Sequence, residues 1–178
     1  MVRYGRRSLL TALALLAVQV SSQRPALAED SAASFAAWVN TLYVGAVLMR
    51  EAAEAGTGAD LSDREIQSLF TPAVQAMRDS VADRTLPPDE PEGPILHILF
   101  GWGALLGRRI EIVSVIAKGT DRARVNLTID GTPRPLLLKG RFNVRGNAWQ
   151  IDDIDYGEGR PDRTLRGRLE RMQDWPKP

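Results

Sequence analysis

From Ser31 to Glu54 the apolar residues Phe35, Trp38, Val39, Leu42, Ala46 and Met49 recur three or four positions apart, which predicts an amphipathic helix with a wide buried stripe. Gly56 and Gly58 end it. Ser62-Asp63-Arg64-Glu65 then reads as a capping box, whose serine and glutamate side chains can satisfy free amides at a helix start, and Ile66, Leu69 and Phe70 supply one face of a second helix. Thr71-Pro72 places a capping residue before a proline, so a break and a third short helix carrying Val74 and Met77 are expected.

Pro87 to Pro94 is a proline-rich acidic stretch that neither a helix nor a sheet interior accepts, and it reads as a stiff linker. Pro94 to Gly107 is apolar, punctuated by glycine and ambiguous in type. The period then changes from helical to two. Arg109 to Ala117 is a first strand. Arg122 to Asp130 alternates, with Ala123, Val125, Leu127 and Ile129 facing one way and Arg122, Arg124, Asn126 and Thr128 the other.

Asp130-Gly131 turns the chain into a third strand, Leu136 to Arg145, with Leu136, Leu138, Gly140, Phe142 and Val144 inward. Arg145-Gly146-Asn147 turns it back into Trp149 to Tyr156. That last strand changes parity, because Trp149 and Ile151 share one face while Ile154 and Tyr156 belong to the opposite register; a bulge near Asp152-Asp153 would bring both pairs to the core. A closing helix is expected to hold Leu165, Leu169 and Met172. Helices first and an antiparallel meander of about four strands second define an α+β fold, with helices covering one face of a curved sheet.

The first residues have another character. Met1 to Arg7 is basic, Ser8 to Val20 is a continuous apolar run too short for a permanent span, and Ala26-Leu27-Ala28 offers small residues before a cut. The expectation is an export signal over residues 1–28, by the general-secretory route or, from Arg6-Arg7-Ser8-Leu9-Leu10, by the twin-arginine route. A single domain over residues 29–178 would remain, soluble, periplasmic and without a membrane span, since no second long apolar run is evident.

The whole chain of 178 residues carries 23 Lys plus Arg against 22 Asp plus Glu. Arg3, Arg6, Arg7 and Arg24 lie in the leader, which holds no acid, so the remainder has 19 bases against 22 acids and a net charge of −3. A mildly acidic body is a poor match to a nucleic-acid backbone. The chain has no cysteine and one histidine, His97, which excludes disulfides, thiol nucleophiles, cysteine-ligated metal sites and multi-histidine sites.

Trp149-Gln150-Ile151-Asp152-Asp153-Ile154-Asp155-Tyr156, the glycine-rich joint after it and Thr164-Leu165-Arg166 resemble the ending of an uncharacterised family of small exported bacterial domains. That family belongs to the nuclear-transport-factor-two-like, or cystatin-like, superfamily. The resemblance runs from about Ala33 to Met172 and implies a cone-shaped α+β roll whose wide end can open into a cavity. Ile95 to Gly103 departs from the family's acidic segment before the first strand. The superfamily hosts enzymes, carriers and protein-binding modules, so the fold it implies selects no activity.

No constellation of residues names a reaction. Gly101-Trp102-Gly103-Ala104-Leu105-Leu106-Gly107 has the wrong spacing for a dinucleotide loop and no helix after it. Asp152, Asp153 and Asp155 form an acidic cluster, but alternation points the first two apart and no ligand set for calcium completes it. Tyr43, His97, Asp153 and Tyr156 are the groups from which an acid–base isomerase or dehydratase would have to draw. Superposing the inward faces places Arg124 opposite Arg141 and Arg141 opposite Asp152 on the outer sheet face, a ladder that either sits in water or forms a partner contact through Arg124, Lys139 and Arg141, with Arg122 and Arg145 nearby.

The sequence therefore supports a non-catalytic binding domain with no cofactor and no metal. Its partner would be an apolar small molecule, held by Trp38, Leu42, Phe100, Trp102, Phe142, Trp149 and Tyr156, or an envelope protein. A protein-interaction module, such as an envelope-complex accessory or an immunity-type inhibitor using Pro94 to Gly107, is the alternative within binding proteins, and an acid–base enzyme is the third reading.

Overall fold

A computed structural model describes residues 28–56, 63–82, 95–100, 107–157 and 163–174. The order is α1 (Ala28–Glu54), α2 (Asp63–Ser68), α3 (Pro72–Val81), α4 (Ile95–Phe100), β1 (Ile110–Ala117), β2 (Arg122–Ile129), β3 (Thr132–Asn143), β4 (Ala148–Asp155) and α5 (Leu165–Gln173). The four strands form one open antiparallel sheet in the order β1-β2-β3-β4. Helix α1 lies across β1 and β2, while α5 packs on α3 and against β4. The chain is thus an α+β fold with its N-terminal helix on one face of an antiparallel sheet.

The buried stripe of α1 is Phe35, Trp38, Val39, Tyr43 and Ala46, and it shares one core with Ala123, Val125, Leu127, Leu136 and Leu138 from the inward face of the sheet. By length and composition the stretch Ala32–Ala52 could cross a membrane, with a mean hydropathy of 1.5. That qualifies the sequence expectation that no second long apolar run follows the leader. Such a helix near the chain start is compatible with a signal sequence, and the burial of Phe35, Val39 and Tyr43 is that of a core helix. Of the segment expected to be the signal, residues 1–28, all but Ala28 at the start of α1 lies outside the described residues, as do Pro87 to Pro94 and the Ser62 cap.

At Gly140 the ring of Phe35 from α1 lies directly against β3. A side chain there would overlap the ring of Phe35, so only glycine lets that ring rest on the strand. At the β2–β3 hairpin Asp130 and Gly131 both have positive φ, 51° and 77°, the geometry of a type I′ turn. The turn pairs Ile129 with Thr132 and sets the whole register. Strand β3 therefore begins at Thr132, four residues before the predicted start, and runs through Pro133 and Pro135. In this register the odd residues of β3 turn their nitrogens away from β2, and pairing with β4 begins only at Leu137, so neither proline removes a ladder bond.

The expected bulge in β4 is present at Asp152. Lys139 pairs with Asp153 and Gly140 with Ile151, which leaves Asp152 without a cross-strand partner and turns both Ile151 and Ile154 into the core. A second bulge lies at Val113 in β1. Val144, expected inward, is 82% exposed because β3 ends at Asn143 and Val144 belongs to the turn. The outer edge of β4 is covered: Ile151 N–H donates to Leu69 O at 2.7 Å, Thr71 N–H donates to Ile151 O at 2.9 Å, and Asp155 bridges to Thr164.

Candidate functional site

Helix α1 presents Phe35 and Trp38 one turn apart, and their rings stack with centroids 5.9 Å apart. Phe35 also meets Trp149 of β4 at 4.8 Å, and Trp149 meets Phe142 of β3 edge-on at 5.3 Å. Phe35 thereby joins Trp38 to Trp149, and Trp149 joins Phe142. A second group forms around α4, where Tyr43 and Phe100 meet edge-on at 5.3 Å. Trp38 and Phe100 are buried, Leu42, Trp149 and Tyr156 are half-buried against the same core, and Phe142 is half-buried. Trp102 lies outside the described residues.

The polar ends of these aromatic side chains separate them. Tyr43 Oη donates to Leu99 O at 2.6 Å and Tyr156 Oη donates to Ile98 O at 2.7 Å, so both phenols satisfy carbonyls at the end of α4. Trp149 Nε1 donates to Ser34 Oγ at 3.2 Å. Among the described residues the indole N–H of Trp38 has no acceptor, although its side chain is only 6% exposed. Sequence reasoning could name Trp38 as an inward aromatic residue, but a missing acceptor is visible only in three dimensions.

Three of the four groups named for proton transfer, Tyr43, Tyr156 and Asp153, are engaged in structural hydrogen bonds. Burial pushes the Tyr43 phenol well above its ordinary range, with Tyr156 adding to the effect, and burial raises Tyr156 as well. Both remain neutral donors at any working pH. Asp153 Oδ1 accepts from the backbone amides of Ile154 at 2.9 Å and Arg166 at 3.1 Å, and burial holds its carboxyl above the usual range. The side chain of His97 lies outside the described residues.

Asp152 is the buried acid that the sequence could not distinguish from its neighbours. Its Oδ1 accepts from Arg166 Nη2 at 2.6 Å and from Thr71 Oγ1 at 3.1 Å, and Lys139 Nζ stands 3.6 Å from its Oδ2. Burial would raise this carboxyl, but the bonds from Arg166 and Thr71 and the charge of Lys139 outweigh it and hold Asp152 below the carboxylate range. Thr71 occupies the N-cap position of α3, as the sequence indicates, yet gives its hydroxyl to Asp152 and makes no side-chain cap bond. Asp155 Oδ1 accepts from Gly157 N at 3.0 Å, so the three aspartates serve three separate structural tasks.

On the outer sheet face the observed register corrects the predicted ladder. Arg124 stands between Ile116 and Leu137, not opposite Arg141. Arg141 stands opposite Gln150, not Asp152, and Lys139 has Arg122 on one side and Asp153 on the other. The β2–β3 shift follows from the tight turn at Asp130-Gly131, and the β3–β4 shift from the turn that pairs Asn143 with Ala148. Arg124, Lys139 and Arg141 are all exposed, as is Arg122.

No protein-family model, curated protein or solved structure matches this chain.

Proposed function

We propose that the chain is an exported, non-catalytic binding domain that holds an apolar small molecule bearing one hydrogen-bond acceptor, with Trp38 as the donor to that acceptor. The observation that carries this reading is the unpartnered indole N–H of a side chain only 6% exposed. A buried donor left unsatisfied costs about 1–3 kcal/mol, which a phenylalanine at the same place would avoid. The other buried polar aromatic ends described above all have acceptors, so Trp38 is where a ligand would restore what folding removes.

The commitment of Tyr43, Tyr156 and Asp153 to backbone partners supports the non-catalytic reading over an acid–base isomerase. The basic start, apolar run and small-residue cut site of residues 1–28 support export to the periplasm. The likeness to the nuclear-transport-factor-two-like superfamily belongs to the same proposal, and a cone lined by inward aromatic side chains is its natural ligand site.

Trp38→Phe tests the role of the N–H because it keeps a ring of similar packing and removes the donor. In ligand-free protein the urea unfolding free energy should stay level or rise. A fall of about 3 kcal/mol, as for loss of core packing, would make Trp38 an ordinary core residue and remove the support for the reading.

A further inference from the structure

The outer face of the β2–β3 ribbon carries four cations, of which only Lys139 has a carboxylate partner among the described residues. Arg122 stands directly opposite Lys139; Arg124 lies two residues further along β2, and Arg141 two residues further along β3 in the opposite sense. All four are exposed. Among the described residues Lys139 has Asp152 at 3.6 Å, while the side chains of Arg122, Arg124 and Arg141 make no ion pair and no hydrogen bond.

Like charges directly across a sheet destabilise it. Residues 29–178 are net acidic and Asp153 lies across from Lys139, yet no carboxylate is the cross-strand partner of Arg122, Arg124 or Arg141. We propose that this stripe is a docking surface for an extended acidic segment of a partner protein.

Two observations select a polypeptide. The first is spacing: residues two apart along a strand are about 6.8 Å from each other, so the steps from Arg122 to Arg124 and from Lys139 to Arg141 match the repeat of an extended chain with acids at alternate positions. The second is apolar neighbours: Ile116, 44% exposed, flanks Arg124 on β1, and half-buried Leu137 flanks it on β3. A partner with apolar residues between its acids fills both, whereas a phosphate polymer leaves them in contact with water and meets the net negative body of the domain. This face is turned away from α1, so the surface is separate from Trp38.

The test is fluorescence anisotropy of the full chain with a labelled nine-residue peptide that alternates glutamate with valine and threonine. Binding should weaken with added salt, fall about tenfold in the Arg124→Glu, Arg141→Glu double variant, and fall less in the milder Arg124→Gln, Arg141→Gln pair. Arg134→Glu, at the far end of β3, should bind as the wild type does. The variants' unfolding curves, expected to be unchanged, separate a lost contact from a lost fold. Equal binding by the double reversal, equal binding of a peptide with lysine in place of glutamate, no binding by the wild type, or capture of inorganic polyphosphate in preference to the glutamate peptide would each overturn the proposal.

Discussion

Asp152 and Arg166 meet at 2.6 Å at a point where the sheet offers Asp152 no cross-strand partner. The bulge that frees Asp152 from the ladder also lets Arg166 donate Nε–H to its carbonyl at 2.7 Å and lets Thr71 reach its carboxylate. One acid thus ties β4 to α5 and to the start of α3. Its side chain is 6% exposed, whereas Arg109 and Glu111, 2.5 Å apart, are 81% and 50% exposed. Arg166→Met should therefore cost about 3 kcal/mol, because a buried carboxylate loses its main partner. Arg109→Met should cost less than about 1 kcal/mol. Urea unfolding of the two variants at neutral pH measures the difference, and equal losses would refute the assignment.

The surroundings shift the two neighbouring acids in opposite directions. Asp152 is held below and Asp153 above the ordinary aspartate value of about 3.9. For Asp152 the stabilisation is fully present above the unfolded value and is lost as pH falls through its folded pKa. For Asp153 protonation favours the folded state, so that contribution is present below the unfolded value and lost as pH rises through its folded pKa. Carboxyl carbon NMR should show Asp153 titrating at higher pH than Asp152. The stability of the wild type relative to Asp153→Asn should decline across the window just above pH 4, and the reverse slope would contradict the account.

Gly140 and Phe35 form a fitted pair. Gly140→Ala pushes a methyl group into the ring and should destabilise by about 1–3 kcal/mol. Phe35→Leu, itself destabilising, should reduce the further penalty of Gly140→Ala, a coupling that a double-mutant cycle by urea unfolding reads directly. Additive losses would mean that the ring and the strand do not constrain one another.

The hydroxyls of Tyr43 and Tyr156 end on consecutive carbonyls of α4, Leu99 and Ile98. Each change to phenylalanine should cost about 1 kcal/mol, since it leaves a carbonyl at a helix end without its donor. Because both act on the six residues of α4, the double variant should lose an amount different from the sum of the two single losses. Strict additivity would mean that α4 is held independently of either tyrosine.

Much of this architecture is legible in the sequence. The parity change between Ile151 and Ile154 marks the bulge, Asp130-Gly131 marks the hairpin, and Thr71-Pro72 marks the start of α3. The register is harder to read, because Pro133 and Pro135 argue against a strand until the direction of each backbone nitrogen is known. The burial of Arg50 is similarly tertiary: its guanidinium donates to the carbonyl of Arg108, a residue that sequence spacing does not bring near. The aromatic set can be drawn up from inward positions, but which member lacks an acceptor depends on where Ser34, Ile98 and Leu99 fall in space.

The binding proposal is tested most directly by native mass spectrometry of the protein purified without denaturant from its own host. The expected result is a reproducible added mass of small-molecule size on the wild type, with much reduced occupancy on Trp38→Phe. A bare mass for the wild type, or an added mass retained equally by Trp38→Phe, would contradict the account.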